Sequence, residues 1–154
     1  MPVKTFSIEE TKQIAADFMA TLAPGEKTAT IVALSGELGS GKTAFVKCVA
    51  ESIGIKEEIT SPTFVIEKIY SIRGAEDTAS LSNKNRRFKR MIHIDAYRLD
   101  SGRDLTKLNW DHIVADKDNL IFIEWPENVA EIIPANAKRI SFKFVDEKTR
   151  EIIF

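Results

Sequence analysis

Residues 36–43 read Gly36-Glu37-Leu38-Gly39-Ser40-Gly41-Lys42-Thr43, a complete Gly-x-x-x-x-Gly-Lys-Thr phosphate-binding pattern. Such a pattern carries chemistry only between a strand and a helix, and both are legible on its flanks. Upstream, Thr30-Ile31-Val32-Ala33-Leu34 is a short apolar, β-branched run of the kind buried in a parallel sheet. Downstream, the spacing of Phe45, Val46, Val49, Ala50 and Ile53 predicts a helix over 43–53, stopped at Gly54. In that setting Gly36, Gly39 and Gly41 let backbone N–H groups turn toward an anion, and the following helix adds its positive dipole end. Glu37, Leu38 and Ser40 complete the cradle, and Lys42 supplies a mobile charge for the β and γ phosphates. Thr43 offers a hydroxyl to Mg²⁺, a hard cation that takes oxygen ligands. The expected ligand is a nucleoside triphosphate with magnesium.

Working outward, Ser7-Ile8-Glu9-Glu10 offers a capping box, and Ile8, Ala15, Phe18 and Leu22 mark one face of a helix expected to end near Pro24-Gly25. Beyond the phosphate-loop helix, residues 60–70 read as a loop signal followed by a strand carrying Phe64, Ile66 and Lys68 on one side. Residues 71–90 are polar and aperiodic, a long mobile loop on this reading. Met91–Asp95 resumes as a strand. Residues 100–116 form a weak, broken helical region anchored by Leu105, Leu108, Ile113 and Val114, and Asn119–Glu124 is a second strongly apolar strand. Ile140, Phe142 and Phe144 alternate, Asp146 to Thr149 turns, and Ile152-Ile153-Phe154 returns, which predicts a β-hairpin.

Composition limits the alternatives. In 154 residues, 22 Lys plus Arg stand against 23 Asp plus Glu, so overall charge attracts neither nucleic acid nor an anionic membrane. A hydrophobic content of 44% suffices for the core of one domain over 1–154. The longest apolar runs fall far short of the roughly 20 residues of a membrane span, and the amino terminus lacks a secretory pattern, so a cytoplasmic protein is expected. The single cysteine, Cys48, rules out an internal disulfide and reads as a small buried side chain. His93 and His112 stand apart from any Cys or His cluster, against a zinc site.

A phosphate loop needs a carboxylate at the end of a neighbouring strand, to hold Mg²⁺ or to orient the attacking water. Asp95 and Glu124 each end an apolar run, where α/β sheets place ligand-facing side chains; the plainer reading of either is an exposed strand-end acid. The segment Lys84 to Arg90 has five basic residues, no acid and one aromatic, suited to RNA contacts, although a solvated charge run is the simpler reading.

The stretches Gly36 to Thr43, Ser61-Pro62-Thr63-Phe64, His93-Ile94-Asp95-Ala96-Tyr97-Arg98-Leu99 and Glu124-Trp125-Pro126-Glu127 occur in that order. Together they resemble the bacterial TsaE (YjeE) family of small P-loop ATPases, from the Thr11 region to the final hairpin. The resemblance implies an α/β fold of the P-loop NTPase type, with a mainly parallel central sheet flanked by helices and a C-terminal β-hairpin. It implies a Mg²⁺-dependent ATPase, slow alone and stimulated by TsaD-like and TsaB-like partners, in the threonylcarbamoyl modification of tRNA adenosine. Contact with tRNA would be indirect, through that complex; neither DNA nor membrane is an expected partner. By the same resemblance Lys42 binds phosphates, Thr43 and Glu124 hold Mg²⁺, Asp95 stands near the metal or water, and Ser61 to Phe64 form a switch-like loop. Trp125 supports the site or a partner surface, or is simply a core or rim tryptophan, and Thr11 and Arg150 contact the nucleotide beyond its phosphates. Glu37 and Ser40 depart from the family's common Asp and Ala, Asn109-Trp110 stands where a Gly-containing turn is common, and the 71–90 loop is longer than usual. The rival functions are a small P-loop kinase acting on a metabolite and a nucleotide-dependent binding module with negligible turnover.

Overall fold

In the computed structural model, which describes residues 2–60, 66–72 and 87–154, the run containing Thr30 to Leu34 becomes the middle strand of a seven-stranded sheet. The elements in order are β1 (Pro2–Thr5), α1 (Ile8–Ala20), β2 (Thr30–Gly36), α2 (Lys42–Ser52), β3 (Glu67–Ser71), β4 (Arg90–Asp95), α3 (Gly102–Thr106), α4 (Trp110–Ala115), β5 (Asn119–Glu124), a 3₁₀ segment (Pro126–Ile132), β6 (Lys138–Phe144) and β7 (Arg150–Ile153). Across the sheet they lie β1-β7-β6-β2-β5-β4-β3. The inner pairs β6–β2, β2–β5 and β5–β4 are parallel, and the outer pairs β1–β7, β7–β6 and β4–β3 are antiparallel. This is the α/β architecture expected, a mixed sheet whose core is parallel, with the C-terminal β6–β7 hairpin.

Side-chain alternation divides the core into two layers. Val32 and Leu34 join Phe122 and Ile140 beneath α1 and α2, where Phe45, Val46 and Val49 supply the facing side chains. Ile31 and Ala33 join Ile121 and Ile123 on the opposite face, covered by Leu105, Trp110 and Ile113. Every residue of β5 is buried, which is why that strand reads as a continuous apolar run rather than an alternating one. Cys48 is buried in the first layer.

Several boundaries differ from expectation. Helix α1 ends at Ala20, short of Pro24-Gly25, because Thr21 and Leu22 turn tightly onto the carbonyls of Phe18 and Met19. Its Ser7 cap is present, Oγ accepting from the Glu10 N–H at 3.2 Å, but the Glu10 carboxylate reaches back to the Phe6 N–H at 2.8 Å instead of that of Ser7. Strand β3 starts only at Glu67: Ile66 has φ +68°, and its carbonyl accepts from the Asp95 N–H at 2.8 Å. Phe64 and the Ser61 to Phe64 loop lie outside the described residues. The 71–90 loop is shorter than expected, since Ser71 and Arg90 belong to strands and Ile72 and Phe88 are buried in the core. Residues 73–86 lie outside the described residues.

The basic segment is correspondingly reduced. Lys84 to Arg86 lie outside the described residues, while Phe88 packs in the core and is withdrawn from base stacking. Lys89 pairs with Asp118 at 3.4 Å and Arg90 pairs with Asp116. The broken helical region is confirmed as α3 and α4, parted at Asn109, whose φ of +68° no continuous helix tolerates. Strand β1 and the 3₁₀ segment carry no periodic signal and were not anticipated.

Candidate nucleotide-binding site

The parallel strands deliver their carboxyl ends to one edge of the sheet, and the chemistry gathers there. The phosphate loop follows β2, Asp95 ends β4 and Glu124 ends β5, and a cleft of about 570 Å³ includes all three. That volume suits a nucleotide-sized ligand.

Backbone geometry shapes the loop first. Gly36 has φ +147°, and a Cβ there would come within 2.6 Å of the Phe142 carbonyl oxygen, so only glycine lets the loop leave β2 past β6. Gly41 caps α2 at φ +107°, with the Arg150 side chain 3.7 Å from where its Cβ would stand. Glu37, Leu38 and Gly39 are exposed at the loop's outer curve, whereas Ser40 is buried beneath it. The Ser40 hydroxyl has no hydrogen-bond partner among the described residues.

Lys42 is 5% exposed. Its ammonium donates to the carbonyls of Gly36 and Glu37, the latter at 3.0 Å, and lies 4.2 Å from the ring centre of Trp125. Burial pushes its pKa below the ordinary lysine value, and the charges of Glu124, Glu127 and Asp95 oppose part of that fall. Thr43 follows, its Oγ1 3.0 Å from each oxygen of the Glu124 carboxylate.

Glu124 and Asp95 are both buried. The exposed strand-end alternative is thereby set aside for both. Asp95 accepts from the Tyr97 N–H at 2.9 Å through Oδ1. Trp125 leaves β5 in the left-handed region (φ +60°, ψ +50°) and starts the 3₁₀ segment; its ring faces Tyr97 at 5.1 Å. Asn128 fastens the turn by donating to the carbonyls of Ala96 and Tyr97 at 2.9 and 3.1 Å.

The cleft's other wall comes from the two ends of the sequence. Thr11 lines it from α1, its Oγ1 donating to the Ser7 carbonyl at 3.2 Å. Arg150 lines it from β7: its guanidinium donates to the carbonyls of Asp146 and Thr149 and sits 4.7 Å from the Phe144 ring centre. Phe6, Ile8 and Leu38, all well exposed, complete an apolar lip that the sequence reading did not find.

Sequence reading also missed His93. It is fully buried, and Nε2 lies 2.6 Å from Glu124 Oε2. The signal was present: in register, β4 and β5 put His93 and Asp95 on the same sheet face as Phe122 and Glu124.

The donor set fits a magnesium ion with a nucleotide. No group of three or more His, Cys, Asp or Glu that could hold a metal assembles among the described residues. The protein side offers one hydroxyl and buried carboxylates, which suits a hard cation that completes its shell with water and phosphate oxygens.

Fold and site together define a phosphate-loop α/β protein of the nucleotide-binding kind. Residues 5–152 match the family model described as threonylcarbamoyl adenosine biosynthesis protein TsaE, and the chain belongs to that family. It is 32% identical over 152 residues to the tRNA threonylcarbamoyladenosine biosynthesis protein TsaE of Bacillus subtilis, covering 98% of this chain and 82% of that one. Against the protein of the same description from Streptomyces coelicolor it is 34% identical over 111 residues, covering 71% of this chain and 66% of that one. The crystal structure of Bacillus subtilis YdiB superposes with a TM-score of 0.71 at 27% identity, covering 99% of this chain and 82% of that one.

Proposed function

We propose that this chain binds ATP with Mg²⁺ in the cleft and hydrolyses it as an accessory subunit in forming threonylcarbamoyladenosine in tRNA. The observation that carries the reading is the junction of Thr43 with Glu124 beside the buried Lys42, with Asp95 on the next strand. The phosphate loop and Lys42 would hold the β and γ phosphates, and Thr43 and Glu124 would hold the metal. Bound magnesium supplies charge neutralisation of the phosphates. Asp95 would orient water, while Trp125 braces Lys42 from one side. Thr11 and Arg150, on the opposite wall, would contact the nucleoside.

Residues 1–154 act as one domain on this reading, in the cytoplasm. Family membership supports TsaD-like and TsaB-like proteins as partners, with tRNA reached through them. The isolated chain turns over slowly, because a loop-bound Lys42 and an open cleft leave water exclusion to a partner.

The test is phosphate release with and without those partners, alongside threonylcarbamoyladenosine formed over several cycles. Stimulated release coupled to sustained modification is expected. Stoichiometric transfer of phosphate to a metabolite would instead establish a kinase, and modification sustained through many cycles without the chain would end the accessory-subunit reading.

A further inference from the structure

We propose that His93 is the positioning residue for the metal-binding carboxylate, a role that rests on the functional reading above. Glu124 is held from two directions. Thr43 Oγ1 meets both of its oxygens at 3.0 Å from the cleft side, and His93 Nε2 meets Oε2 at 2.6 Å from the core side. The two side chains of the His93–Glu124 pair are 0% and 4% exposed, so water does not compete for the bond. A carboxylate is an acceptor only, so the ring must present a proton at Nε2. Nδ1 is buried and has no hydrogen-bond partner among the described residues, so nothing there draws the proton to the other nitrogen. Thr43 stands next to Lys42 at the start of α2 and is the contact that a cation would displace or share. His93 has no such duty: it fixes one oxygen of Glu124, Oε2, from the core side. Outer partners of this kind set the orientation and basicity of a ligand without touching the metal.

The experiment pairs binding with ring spectroscopy. His93→Phe keeps the ring volume and removes the donor, whereas His93→Gln restores an N–H near the position of Nε2. Calorimetric titration of ADP at a series of Mg²⁺ concentrations should show His93→Phe needing about 10- to 100-fold more Mg²⁺ for half-maximal effect. ADP binding without metal should fall much less, and His93→Gln should recover most of the loss. An unchanged Mg²⁺ requirement in His93→Phe, or a loss that His93→Gln does not relieve, overturns the proposal. Should His93→Phe fail to fold, ¹⁵N spectra of the intact protein decide: only two histidines are present. The His93 ring should carry its proton on Nε2, with a resonance that moves in Glu124→Gln. A bare Nε2 overturns the proposal. Wild-type protein that binds ADP without any response to Mg²⁺ would overturn the functional reading itself, while an Nε2–H bonded to Glu124 in that same protein would show that the pair exists for structure alone.

Discussion

Asp95 and Glu124 face each other as register partners across the parallel β4–β5 pair, each the last residue of its strand. Two buried acids at that spacing need cations to be tolerated together, and Lys42 is one. The arrangement predicts unequal roles. Glu124 meets Thr43 through both of its oxygens, whereas Asp95 accepts from the backbone N–H of Tyr97. Glu124→Gln should therefore raise the Mg²⁺ requirement by more than about 10-fold, the lower range for losing even an outer partner of a metal ligand. Asp95→Asn should depress turnover with a smaller change in Mg²⁺ requirement. Metal titrations of nucleotide binding and of phosphate release check both, and the opposite ranking would exchange the two assignments.

Lys42→Ala should weaken ATP binding by about 10- to 100-fold, the loss expected for one charged hydrogen-bonding partner of a phosphate. Calorimetry gives the affinity, and circular dichroism should show the fold unchanged.

The depressed pKa of Lys42 gives this site an alkaline limit. In the folded, ligand-free protein the ammonium loses its proton below the ordinary value of 10.5. Affinity for the nucleotide should thus decline as pH rises toward that value, earlier than an exposed lysine would dictate. The stability effect has the opposite sign. Between the folded and unfolded pKa the unfolded chain binds more protons at this group, so its contribution to folding rises with pH there. Binding and unfolding measured over the same alkaline range, with Lys42→Met as reference, should show both trends vanish in the variant.

Trp125 pays for its position in backbone strain, since a left-handed conformation costs a non-glycine residue roughly 1–2 kcal/mol. Glycine is exempt. Trp125→Gly should therefore be more stable to urea than Trp125→Ala, by about 1 kcal/mol. Both variants lose the ring beside Lys42 and should lose partner-stimulated turnover alike.

Gly36→Ala places a methyl group against the Phe142 carbonyl and forces φ +147° on a residue with a side chain. A loss of stability above about 1 kcal/mol is expected, together with loss of nucleotide binding. Thermal unfolding and calorimetry on the same sample check it.

The parts of this molecule that were legible in sequence are those where one residue type answers one local demand. Gly36, Lys42 and Thr43 stand at the spacing of the phosphate-binding pattern, and Glu124 closes a run whose apolarity announces a buried parallel strand. What stayed hidden depends on pairing. Strand β1, Pro2–Thr5, is an exposed edge with one buried residue, and only β7 makes it a strand. Ile66 is β-branched yet left-handed, a choice imposed by its bond to Asp95. Phe88 looked like part of a basic loop until the core claimed it. His93 could have been found, because counting residues by twos along β4 and β5 brings it to Glu124.

Strand β1 pairs with β7 from Thr5↔Arg150 to Pro2↔Ile153, so the earliest and latest strands in the sequence meet beside the cleft. During synthesis, β1 therefore leaves the ribosome long before the strand it must join exists. The phosphate loop, by contrast, has all its local elements early. A growing chain passes through a stage in which the anion cradle can form but the wall bearing Arg150 cannot. Contacts between such distant segments are slow to close. On the proposed reading, phosphates could be met by the cradle before β1 and β7 pair, whereas the wall bearing Arg150 exists only once they have.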